Sequence, residues 1–206
     1  MIPTCWWGRR REQRSAEELN NVSRWAAINN LRLNVTKSRE MLVARRSCFE
    51  PPPPLDGVLR VDSMRILGVT LGRDLSVTGH VDEIIEASSA SLHALRVLRA
   101  HGLPPKALHL VAEATTISRL LYAAPAWWGL ASAADRNRLE RFLARAARLG
   151  YLPSGTATIE DRVSSAEDRL LQSIIWNEMH VLRRFFPPPV LRPYALRRLR
   201  PRGLCT

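Results

Sequence analysis

Apolar residues recur every three to four positions from residue 15 to residue 28, then every second position to residue 35. That change of period sets the first elements. Ser15-x-x-Glu18 matches a helix capping box, and Leu19, Val22, Trp25, Ala26 and Ile28 give one broad apolar face. A helix is therefore expected from Ser15 to the Asn29-Asn30 pair. Leu31, Leu33 and Val35 alternate with polar partners, as a half-buried strand does. Met41-Leu42-Val43 centres a second strand. Pro51 to Pro54 can neither continue a helix nor enter a sheet interior, so they form an exposed connector, as a spacer between strands or as a ligand for a Pro-binding domain. Val58 to Val61 and Met64 to Leu71 read as two further strands, the second ending at Gly72.

Beyond Gly79 the period is helical throughout. Val81, Ile84, Ile85, Ser88, Leu92, Leu95 and Leu98 form one stripe, punctuated by Gly102 and Pro104-Pro105. A second helix is expected from Lys106 towards Trp128, with Pro125 kinking or ending it. A third covers Ala134 to Leu149, with Leu139, Phe142, Leu143 and Ala146 inward and Gly150 as its cap. Thr158-x-x-Asp161 opens a fourth, carrying Val163, Leu170, Leu171, Ile174 and Ile175. Leu92, Leu95, Leu139, Phe142, Leu171 and Ile175 are expected to meet in one core. The pattern predicts an α+β, mainly α fold: a small antiparallel sheet with one N-terminal helix, followed by a bundle of about four helices. The divisions are 1–13, an unstructured basic start; 14–75, the helix and sheet with a Pro-rich connector at 50–56; 76–182, the bundle; and 183–206, an extended Arg/Pro-rich tail.

Charge changes this picture more than composition does. With 31 basic and 19 acidic residues the formal net charge is +12, which points to a polyanionic partner through long-range attraction and counterion release. Only Lys37 and Lys106 are lysines. Arginine's planar fork suits phosphate, although a GC-rich coding sequence gives the same Arg:Lys ratio. Cys5, Cys48 and Cys205 lie far apart without CxxC spacing, as reduced intracellular thiols do. No apolar run spans a membrane and the start is not a secretory signal, so no membrane partner is expected and the location is intracellular, nuclear or cytoplasmic. His80, His93, His101, His109 and His180 show no ligand spacing, and no metal site is expected. The pairs Asp82-Glu83, Glu160-Asp161 and Glu167-Asp168 fall at or near helix starts, where acids favour the dipole. Trp127-Trp128 suits either stacking on bases or burial at a helix end. Nothing in the sequence sets an oligomeric state.

Seven short pieces occur in an order that carries a family resemblance. Asn29 to Ser38 matches "N-x-L-x-L-N-x-x-K-S/T" after a helix ending near Trp25, and Ile66 to Val69 matches "Y/I-L-G-V/I". His80 stands in a "W-x-x-H" whose Trp position is Val77 here. Leu95 to Arg99, Gly102 to Lys106, Leu120-Tyr122-Trp127 and Asp135 to Arg141 match "L-x-x-L-R", "G-L-x-x-K", "L-x-Y-x-x-x-x-W" and "D-R-x-x-L-x-R". The ending from His180 to Arg197 is similar to the same family's tail. The chain resembles the C-terminal part, distal palm and thumb-like region, of the reverse transcriptases of non-LTR (LINE-type) retrotransposons.

The resemblance implies a primer grip at Leu67 and Gly68, with residues 14–75 as distal palm and 76–182 as thumb. Asn34 and Lys37 would lie near the nucleotide, Lys37 as an auxiliary group beside the leaving pyrophosphate. Arg138, Arg141 and Arg145 on a polar helix side, and Arg183, Arg184, Arg197 and Arg198 in the tail, would contact nucleic acid. Replacing Arg138, Arg141 and Arg145 together with Gln is expected to leave the melting temperature nearly unchanged while weakening nucleic-acid binding. The metal-binding "Y/F-x-D-D" expected about one helix upstream of Trp25 is absent from the sequence. This chain is thus expected to bind RNA, DNA or an RNA–DNA hybrid as template–primer but not to polymerise alone, with Mg2+ needed only by the full-length parent. An independent basic nucleic-acid-binding module and an inactive transposon remnant are the alternatives.

Overall fold

The computed structural model describes residues 6–43, 51–153 and 155–186, with side chains from residue 15 onward. Helix α1 spans Trp6–Ile28, so residues 6–13 are helical rather than an unstructured start. The capping-box pair at Ser15 and Glu18 lies inside the helix, because the Arg, Glu and Gln residues before it are good helix formers. Asn30 ends α1 in the left-handed conformation (φ 56°), with Leu31 N–H donating to Ala26 C=O at 2.8 Å and Asn30 N–H to Ala27 C=O at 3.2 Å. Of the expected apolar face only Ala26 is buried, while Val22, Trp25 and Ile28 are exposed.

The strand expected over residues 31–35 does not form. Asn34 caps a 3-10 turn at Val35–Lys37 instead, because its carboxamide offers the backbone a local alternative to a ladder. Pairing is displaced from Met41–Val43 to β1 (Arg39–Glu40), which lies parallel to β2 (Leu59–Arg60). Arg60 fastens the proline connector: its guanidinium donates to the carbonyls of Pro52 and Pro53 and pairs with Glu40.

Met64 to Leu71 is not one strand but a hairpin. β3 (Ser63–Ile66) pairs antiparallel with β4 (Val69–Gly72), Ile66 opposite Val69. Leu67 (φ 47°) and Gly68 (φ 89°) are its two central turn residues. Two successive positive φ values define the turn whose twist matches the flanking strands.

Helix α2 spans Thr78–Ala100 and buries Val81, Ile84, Ser88, Leu92 and Leu95, with Leu98 left exposed. The second expected helix is broken. It comprises α3 (Pro105–Ala112), a π segment Glu113–Ile117, α4 (Ser118–Leu120) and, after Ala123 in the left-handed region (φ 51°), α5 (Ala124–Trp127). The break precedes Pro125, which sits in the first turn of α5, where its missing N–H costs nothing. Helix α6 (Ala133–Arg148) is capped by Ser132, whose oxygen accepts from Asp135 N–H, and Gly150 turns the chain at its end.

α2 and α6 run side by side in the same direction. Thr78 donates to Asp135 at 2.9 Å and Asp82 pairs with Arg138 at one end. At the other end Arg99 donates to Leu149 C=O at 2.7 Å and lies 4.8 Å over the Tyr151 ring.

Helix α7 spans Ile159–Trp176, opened by the reciprocal Thr158–Asp161 pair. The chain divides into two compact units, residues 1–166 and 167–206. In the first, Leu92, Leu95, Trp127, Leu139, Phe142 and Val163 belong to one apolar core. Leu170, Leu171 and Ile175, in the second unit, are exposed, contrary to the expected core positions of Leu171 and Ile175. In the second, Arg183–Phe185 is a 3-10 turn rather than extended tail. The cysteines and the tail from residue 187 lie outside the described residues.

The fold is therefore mainly helical α+β, as the pattern predicts, with a parallel two-residue pair added to the antiparallel hairpin.

Candidate nucleic-acid interface

The hairpin tip is the most unusual surface feature of the first unit. Leu67 is 89% exposed and left-handed, a conformation that costs an L-residue about 1–2 kcal/mol. Tyr122 holds the tip from below. Its hydroxyl donates to Leu67 C=O at 3.2 Å, and a Cβ at position 68 would stand 3.0 Å from its ring. Only glycine therefore fits both the backbone conformation and the close approach. Tyr122 is placed by Trp127, whose indole Nε1–H donates to Tyr122 C=O at 2.9 Å.

The stem is tied to α2 by two contacts from Thr70. Its N–H donates to His80 Nδ1 at 3.4 Å and its hydroxyl to the Glu83 carboxylate at 3.1 Å. His80 is buried, with its ring edge-on to Trp127 at 5.2 Å and Nε2 unpartnered. Burial lowers its pKa below 6.5, nearby Glu83 opposing and Arg65 assisting. The fold thus carries a neutral ring. Its contribution to stability is complete above pH 6.5 and is lost as pH falls through the lower folded value. Protonated Nδ1 would face the Thr70 N–H donor. Urea titration between pH 8 and pH 5 is expected to show falling stability in wild type and a flatter profile in His80→Gln, from a lower starting point.

The other candidates are placed differently. Asn34 Oδ1 accepts from Lys37 N–H at 3.1 Å and from Thr36 Oγ1–H at 2.7 Å, so its side chain is occupied by the turn. Lys37 is exposed, and its ammonium has no hydrogen bond or ion pair among the described residues. No such contact joins Asn34 or Lys37 to the hairpin tip.

Arg138 is structural, contrary to the phosphate-facing role expected of it. It pairs with Asp82 and, at 3.3 Å, with Asp135. Asp135 is buried and also accepts from Ser132 and Thr78 hydroxyls at 2.7 and 2.9 Å. Burial alone would raise its pKa, but the hydrogen bonds from Ser132 and Thr78 and the nearby Arg138 outweigh it and hold the carboxyl below 3.8. Arg141 is exposed and donates to Asn137 C=O within its own helix, while Arg145 is exposed and its guanidinium has no partner among the described residues.

In the second unit Arg183 closes the end of α7, donating to Ile175 C=O at 2.6 Å. Arg184 lies 4.8 Å over the Phe185 ring. Arg197 and Arg198 lie outside the described residues.

Trp127 and Trp128 are both buried, so they serve the core and not base stacking. Asp82 and Glu83 meet Arg138 and Thr70, and Asp161 caps α7, but Glu167 and Asp168 lie in mid-helix rather than near a helix start. Among the described residues no group of three His, Cys, Asp or Glu side chains could hold a metal ion, and no helix is long and apolar enough to cross a membrane. Reading the sequence alone missed the work of Tyr122, Thr70 and His80. The spacing of Tyr122 to Trp127 was the signal for the first. No protein family, curated protein or solved structure matches this chain.

Proposed function

We propose that this chain is the distal-palm and thumb-like part of a LINE-type reverse transcriptase, binding template–primer nucleic acid through the hairpin tip and basic surface without polymerising alone. The observation that carries this reading is Leu67. An apolar side chain that is 89% exposed and left-handed is unfavourable on two counts, and the turn would be met better by Asn-Gly. Strain of this kind is retained where a surface makes contacts in another state. A Leu-Gly tip held against Tyr122 suits close approach of a primer backbone. Lys37, whose ammonium has no partner among the described residues, supports a phosphate-proximal role.

The two divalent metals of the parent enzymes do not fit the described carboxylates. Asp82, Glu83, Asp135 and Asp161 are each engaged with a neighbour of the fold, so no nucleotidyl-transfer step is assigned to this chain. The alternative of an independent basic nucleic-acid module gains from one fact: Trp127, Asp135 and His80, all at motif positions, are buried members of the fold.

Leu67→Asn tests the reading with two opposed readouts. It is expected to raise the melting temperature, by relieving about 1 kcal/mol of turn strain. It is also expected to weaken binding to an RNA–DNA hybrid roughly tenfold, the loss of a leucine contact of about 1.5 kcal/mol. Fluorescence anisotropy on a labelled hybrid and a thermal melt measure both. Unchanged hybrid affinity in the variant, or no hybrid binding by wild type at low salt, would overturn the assignment.

A further inference from the structure

The parallel alignment of α2 and α6 has an electrostatic result. Both helices carry their acids early, Asp82, Glu83 and Glu86 on one and Asp135 and Glu140 on the other. No aspartate or glutamate occurs between residues 87 and 112 or between 141 and 159. Because the helices point the same way, their acid-free halves come together at one end of the bundle, where the Arg99–Leu149 contact joins them. α3 begins at that same end, directly after the turn at Gly102, and brings Lys106 there.

Cations at helix C-termini are ordinary, since they complement the dipole and the last carbonyls. Arg99 meets that need through Leu149 C=O and the Tyr151 ring. Arg145 and Arg148 lie in the last turn of α6 and complement its dipole without bonding a carbonyl, Arg96 lies one turn before the end of α2, and Lys106 opens α3. All four are exposed and none of their side chains makes a hydrogen bond or ion pair among the described residues. The nearest acid on α6, Glu140, accepts from the Ile159 N–H. Four cations without an acid partner among the described residues, carried by three helices, make this end of the bundle a positive edge.

We infer that this edge binds the phosphate backbone of a nucleic-acid duplex, with Arg96, Lys106, Arg145 and Arg148 as the contacts. The inference rests on the nucleic-acid reading above and deepens it by naming a surface apart from the hairpin tip and from Arg138. A duplex fits better than a single strand. Among the described residues the acid-free segments expose no Phe, Tyr or Trp ring on which an unpaired base could stack, Phe142 and Tyr151 being buried and only the smaller imidazoles of His93 and His101 exposed, whereas a duplex presents phosphates at twice the axial density. A membrane surface fits less well, for an interfacial helix needs a broad aromatic and aliphatic face beside its cations.

The test is anisotropy across a salt series, using a labelled 20-base-pair RNA–DNA hybrid, its isolated strands, and vesicles containing phosphatidylserine. The protein is the full chain in three forms: wild type, R96Q/K106Q/R145Q/R148Q, and the equal-charge control R9Q/R10Q/R11Q/R14Q. The edge variant is expected to melt as wild type does and to lose more than about tenfold in hybrid affinity. The magnitude of its log–log salt slope should fall by about 3.6, near 0.9 for each of the four lost contacts. The control is expected to change far less.

Equal losses in variant and control, or an edge variant that keeps wild-type affinity and slope, would overturn the edge while leaving hybrid binding standing. Tighter binding of wild type to vesicles or to a single strand than to the hybrid would also overturn it. Failure of wild type to bind any nucleic acid at low salt would remove the underlying reading itself.

Discussion

Trp127→Ala is expected to destabilise the protein by about 3–5 kcal/mol, the range for emptying a buried aromatic site, and so to leave it marginal or unfolded at 37 °C. The side chain is wholly buried, edge-on to both His80 at 5.2 Å and Trp128 at 6.0 Å. Its indole N–H also holds the Tyr122 carbonyl, so the loss should reach the hairpin. Trp127→Phe separates the two roles. It keeps most of the burial but releases Tyr122 C=O, and is expected to cost about 1–2 kcal/mol. Urea denaturation measures the first effect. Hydrogen exchange at Val69 and Thr70 measures the second, and unchanged protection there in Trp127→Phe would refute the link between Trp127 and the tip.

Asp135→Ala is expected to cost about 3 kcal/mol. This is the low end for removing one partner of a buried ion pair, because Asp82 still neutralises Arg138 and the arginine is partly solvated. The variant strands the hydroxyls of Ser132 and Thr78 and loosens both helix starts together. The carboxyl is held below 3.8 in the fold, so its contribution is complete above that pH and lost as pH falls through the folded value. Asp135→Asn should therefore be less stable than wild type at pH 7, with the gap narrowing towards pH 3. A constant gap across that interval would show that geometry, not charge, carries the effect.

This network also divides the arginines of α6. Arg138→Gln alone is expected to lower stability measurably, whereas Arg141 and Arg145 make no ion pair among the described residues and their replacement should leave it unchanged.

Helices α2 and α6 were legible because each buries one stripe at a 3.6 period: Val81, Ile84, Leu92 and Leu95 on α2, and Leu139, Phe142 and Ala146 on α6, are buried as that period requires. The sheet was less so. Ile66-Leu67-Gly68-Val69 reads as an unbroken apolar run, and a leucine at the first central turn position hides a signal that Asn-Gly would have displayed. Leu31, Leu33 and Val35 have the right alternation, but a single carboxamide bond from Asn34 diverts the chain into a turn. Arg138 stood out as a solvated cation because its partner Asp82 comes from 56 positions earlier, a distance no local pattern spans. Leu171 and Ile175 show the converse, a helical stripe that is exposed.

The parallel course of α2 and α6 also bears on how the chain is made. During synthesis α2 emerges first, with Leu92, Leu95 and Val81 needing a surface that includes Leu139 and Phe142. Every residue of the broken segment 101–132 must be added before that surface exists. Contacts this far apart in sequence close slowly, and until they close the nascent apolar stripe stands open to chaperones or to aggregation. Any product stopped before residue 133 would lack α6 altogether and should be cleared as an unfolded chain.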